Sequence, residues 1–174
     1  MHQYNFMLVM VAAALVPLLL GFVWYHPKVF GSAWMKAGGF DENKMKEGFN
    51  MPLVFGLTLF LGFLMAFALS GEVIHQLGFT GMLMHGLQAK DPATLAFYKQ
   101  GIDTYGMEFR NFHHGVIHGA ICGIGIGLTV IAVNGMFERK SFKYIMINAG
   151  FWIVCMILMG GIISTFADIN GFSA

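Results

Sequence analysis

Charge is what this chain has least of. Only 11% of its 174 residues are Asp, Glu, Lys or Arg, against about a quarter in soluble domains, which excludes an ordinary water-soluble fold. The ten basic residues are scattered and the formal net charge is +1. The clustered cations that phosphate backbones demand are missing, so no nucleic-acid partner is expected. Cysteine is scarce as well: Cys122 and Cys155 are the two present, both in apolar runs, which leaves neither a disulfide framework nor a paired-cysteine zinc motif. Neither G-x-S-x-G, H-E-x-x-H nor a phosphate-binding glycine loop occurs, so hydrolase and nucleotide chemistry find no support. The first residues lack the basic stretch of a signal peptide, and the apolar run behind them is about 20 residues rather than 7 to 15, which reads as a retained first span.

Apolar residues, by contrast, are abundant: 57% of the chain, with a mean hydropathy of +0.67. Four stretches free of Asp, Glu, Lys and Arg, roughly 6–25, 53–71, 115–137 and 144–167, approach or exceed the about 20 residues that a helix needs to cross a hydrocarbon core. The expected fold is therefore all-α, an integral membrane bundle of four transmembrane helices forming one domain over residues 1–174. Between the second and third helices lies an interfacial or extramembrane helical cap. Pro17 should kink the first span by removing a donor. In the cap, residues 73–87 extend the second helix or lie amphipathically at the interface. Asp91-Pro92 opens a further helix, which Gly101 is placed to close. A short helix is also expected to start at Asp41 as its N-cap.

Two patterns meet in the segment FHHGVIHGAICGIGIG, residues 112–127. Gly115, Gly119, Gly123 and Gly127 recur every fourth residue, a spacing that costs helix stability in water but lets membrane helices approach closely. They are the expected helix-packing face. His114 and His118 are also four apart, so on a helix they lie about 40° from one another and can share a ligand. Glu72 and His75 form a Glu-x-x-His pair of the kind that helical bundles use for iron or manganese. A complete di-metal site would want a second such pair, and the chain has none. One zinc or iron ion held by Glu72, His75, His114 and His118 is the metal reading these residues support, with haem between His75 and His114 or His118 as its relative. The sequence demands no cofactor. The 14 methionines are spread over apolar faces and read as core packing. Asn134 and Asn148 read as interhelical hydrogen bonders.

The aromatic run Trp24-Tyr25-His26-Pro27, continuing to Phe30-Gly31 and Trp34, gives the pattern W-Y-x-P-x-x-F-G-x-x-W after the first span. With the late Ile147-Asn148-Ala149-Gly150-Phe151 and Leu158-Met159-Gly160, it resembles the domain-of-unknown-function 1761 family of small bacterial membrane proteins. The resemblance implies four membrane helices in a bacterial inner membrane and supplies no catalytic residues.

Seven Lys and Arg fall in the loops after the first and third spans, against Lys90, Lys99 and Arg110 on the opposite side. By the positive-inside rule both termini face away from the cytoplasm. His2, His75, His85, His113, His114 and His118 then gather on the outer side, with only His26 on the inner one. Since no catalytic constellation is complete, the leading expectation is a non-catalytic packing or accessory subunit that self-associates or binds a larger membrane complex in the lipid bilayer. The alternatives are an oligomeric transporter or proton pathway through the outer histidines, and a metal- or haem-binding redox protein.

Overall fold

The computed structural model describes residues 3–169 except 42, 44 and 46. Among them seven helices form, and four are long and apolar enough to cross a membrane: α1 Phe6–Trp24, α3 Met51–Val73, α6 Phe112–Phe137 and α7 Phe142–Phe166. The shorter helices are α2 Ser32–Gly38, α4 His75–Gln88 and α5 Pro92–Tyr105. The last three spans begin two or three residues before their apolar stretches, and a polar residue caps each of the four. The side chains of Asn5, Asn50, Asn111 and Ser141 accept from Leu8, Leu53, His114 and Tyr144 backbone N–H groups, which supplies acceptors that the first helical turn otherwise lacks. The expected helix at Asp41 enters a stretch whose residues 42, 44 and 46 lie outside the described residues, as does His2.

Pro17 acts as expected, since regular helix is interrupted at Leu15, whose N–H turns back to Ala12 at 3.3 Å. The bend leaves the Ala14 carbonyl against α3, where a Cβ on Gly62 would sit 2.8 Å from its oxygen. α7 runs through the middle of the bundle. Its Cys155, Met159 and Ile163 are inaccessible and share one core cluster with Met10, Ala13 and Ala66. The outward faces of α1, α3 and α6 carry exposed Leu, Val, Ile and Phe, the surface that lipid tails would solvate.

One end of the bundle is closed by aromatic rings. Trp24 donates to the Ile147 carbonyl at 3.1 Å, while Tyr25 and Trp34 both donate to Asn148 Oδ1, at 3.0 and 3.2 Å. Asn148 in turn donates to the Tyr144 carbonyl. The chain reverses between Trp24 and Trp34 through a single wide helical turn, Pro27–Gly31. A Cβ on Gly31 would overlap the Tyr25 carbonyl, so the glycine of the aromatic pattern is a steric requirement. Asn134, expected to bond between helices, is exposed.

The opposite end holds α4 and α5. Residues 73–87 do not extend α3: the chain breaks at Ile74, extended at φ −116°, and restarts as a separate helix, α4. Asp91 caps α5 through the Thr94 N–H and hydroxyl, at 2.8 and 2.6 Å, and these bonds hold its carboxyl below the usual range. Gly101 does not end α5, which continues to Tyr105. The Phe79 ring occupies the space where a Gly101 Cβ would be, 2.7 Å away.

Candidate metal centre

The glycine face of α6 is covered by α7. A Cβ on Gly115 would overlap the Gly160 carbonyl, one on Gly119 would overlap that of Met156, and one on Gly123 would lie 2.8 Å from Ile153 Cα. Gly127 is looser, with Met156 side-chain atoms at 3.7 Å or more. The reason is a π-helical stretch, Gly123–Leu128, whose wider turn shifts the register of everything beyond it.

With that face committed to α7, His114 and His118 project beside it and His75 meets them from the start of α4. The ring centroids are 4.8 Å apart for His75 and His114, 5.0 Å for His75 and His118, and 4.4 Å for His114 and His118. One nitrogen from each imidazole lies within 4.8 Å of the others. Tetrahedral coordination with bonds of about 2.1 Å places donors about 3.4 Å apart, a contraction that side-chain torsions can supply. The Nε2 atom of His114 is buried and has no hydrogen-bond partner among the described residues.

Glu72 is not in this cluster. Its pairing with His75 presupposes an unbroken helix, in which residues three apart share a face. The break at Ile74 separates them, and Glu72 is exposed on α3. His85 and His113 are also exposed and outside the cluster. Cys122, one turn beyond His118, is half-buried and outside it as well.

The loop between α5 and α6 completes the surroundings. Gln76 Nε2 donates to the Tyr105 and Glu108 carbonyls at 3.1 and 2.9 Å, which fixes the loop below His75. Phe109 sits at φ +60°, a backbone region that costs a bulky side chain of order 1 kcal/mol or more. Its carbonyl accepts from Ser164 Oγ at 3.2 Å, and the next residue, Arg110, donates through Nε to the Ser164 carbonyl at 2.9 Å and through Nη2 to that of Ala167. Burial pushes the Arg110 guanidinium pKa down, and nearby Asp168 opposes the shift. These bonds cap the end of α7 and hold the Phe109 ring 6.0 Å from His75 and 5.1 Å from His114. Sequence reasoning did not assign Gln76, Phe109 or Arg110 to the site. Arg110 alone left a signal, as the cation nearest to the histidines in the chain.

Beside the triad lies a cavity of about 820 Å³ between α4, α5 and this loop, with His75, Glu108 and Phe109 in its wall. Among families of known proteins, the model described as protein of unknown function (DUF1761) matches residues 8–164. No curated protein and no solved structure matches the chain.

Proposed function

Because the chain belongs to the DUF1761 family, whose description names no activity, we propose from its own geometry that it is a multi-span membrane protein that binds a divalent transition metal. The ligands are His75, His114 and His118. One observation carries the reading: a buried imidazole nitrogen without a partner, His114 Nε2, within reach of two further imidazoles. Buried polar atoms are almost always satisfied, and a cation shared by three neutral imidazoles would satisfy all three. An all-nitrogen set of this kind suits zinc, copper, iron or nickel. Three protein ligands leave a fourth position for water or another molecule, the arrangement of catalytic rather than structural zinc sites.

The packing-subunit reading loses its main motive, because α7 of the same chain fills the glycine face that a partner was to occupy. A proton pathway lacks a continuation. Beyond His118 the interiors of the four spans contain no Asp, Glu, Lys, Arg or His. The positive-inside bias supports an orientation with the triad on the non-cytoplasmic side of the membrane, where it would meet exogenous metal first.

Titration of the purified, chelator-treated protein with Co2+ or Zn2+ tests the assignment. One ion should bind per chain. His114→Ala or His118→Ala should weaken it by on the order of 100-fold, at least as much as loss of an outer-shell partner does. Glu72→Gln should leave it unchanged. Affinity should fall on acidification, since protons compete for neutral imidazole. Equal binding by the wild type and a His75, His114, His118 triple alanine variant would sink the proposal.

A further inference from the structure

Resting on that metal reading, the geometry points to a ligand: the cavity beside the triad receives a ring-bearing, membrane-soluble hydroxyl compound of the alkylphenol type, with its oxygen at the metal's open position. His75 connects the two features, being both a member of the triad and a wall of the cavity. Its lining comes from α4, α5 and the loop that follows, and at His75 and Phe109 it adjoins in the chain the end of α3 and the start of α6, so an amphipath held at the ends of the spans can reach it with its head toward the histidines.

The walls define the chemistry of the occupant. Phe79, Phe97 and Phe109 supply aromatic faces, which favour a planar ring over a saturated chain because offset and edge contacts add to plain apolar burial. Gln100 and Thr104, four apart on α5, set polar groups along one side of the cavity, and Glu108 of the following loop adds a carboxylate. A divalent cation disfavours a cationic ligand and lowers the pKa of a hydroxyl that it binds. A phenol meets this, since its oxygen can bind the metal as the phenolate while its proton passes to the carboxylate of Glu108, the acidic residue of the cavity wall. The volume of about 820 Å³ accommodates a ring with an attached chain, within the range of small-molecule sites. Gly101 is part of the device. It seats the Phe79 ring against α5, and any larger residue there drives that ring into the cavity.

The test uses Co2+-loaded protein in detergent, 4-nonylphenol as the probe, and the d–d absorption bands of the bound ion as the readout. The Co2+ titration alone is read first, and its failure overturns the metal reading and this inference with it. With Co2+ bound, 4-nonylphenol should change the bands saturably, and nonylbenzene, which lacks the hydroxyl, should not. Gly101→Leu should bind Co2+ as the wild type does yet lose about tenfold or more in probe affinity. Phe97→Trp, beside the Phe79 ring at 5.8 Å between centroids, also narrows the cavity and serves if Gly101→Leu does not fold. Glu108→Gln should weaken the probe without weakening the metal. Bound Co2+ with unchanged bands, or equal probe affinity in wild type and both cavity variants, overturns the inference while leaving the metal site standing.

Discussion

At the scale of single residues, Asn148 shows how one side chain can hold an end of a membrane bundle. Its Oδ1 accepts from both Tyr25 and Trp34, residues contributed by the chain reversal after the first span. Replacing it with leucine keeps most of the volume and strands two half-buried donors. Asn148→Leu should therefore cost about 2 kcal/mol, the penalty for unsatisfied polar groups, and broaden the near-ultraviolet dichroism of the aromatic cluster. Chemical or thermal unfolding in detergent measures the first effect. The sequence made Asn148 legible as an interhelical bonder but gave Asn134 the same reading. Which asparagine faces a neighbour depends on helix rotation, and hydropathy does not report rotation.

Among the helices, the contrast between glycines of α6 separates seam from surface. Gly119→Leu would push a side chain into the Met156 carbonyl, and overpacking of this kind costs about 1 to 3 kcal/mol or more. Gly125, two residues from the seam position Gly123, has nothing within 4 Å of its would-be Cβ. Gly125→Ala should leave stability unchanged or raise it by up to about 1 kcal/mol. Melting of both variants, with light scattering to follow oligomeric size, checks this; the loss in Gly119→Leu should occur without any change in assembly. The spans and the Asp91 cap were legible because hydropathy and capping chemistry are local. The element boundaries that shaped the site were not. Ile74 carries no Gly or Pro signal, so the break that separates Glu72 from His75 was hidden. Nor does Phe109 advertise a left-handed backbone, since long-range bonds from Ser164 and its neighbours impose it. The glycine ladder announced a close partner without saying that α7 was the partner.

For the whole molecule, the three histidines tie the helix that follows the second span to the third span, and Arg110 ties the approach to that span to the end of the fourth. A metal bound there should stabilise the fold as a unit. At a concentration of about 100 Kd the gain is about 2.7 kcal/mol, and tryptophan-monitored melting with and without Co2+ should show a higher midpoint for wild type alone, not for the triple alanine variant. The first span is closed by the last in the same region, as Tyr4 donates to Phe166 and accepts from Asp168, both at 2.8 Å. That pairing has a consequence for biogenesis. Spans enter the bilayer in order of synthesis, so α1 waits with an unsealed end while α3, α4, α5 and α6 are made. The histidines can be in place before α7 arrives, but the loop that frames them cannot, and the candidate centre becomes complete only when α7 slides in between the others and its end pairs with Tyr4.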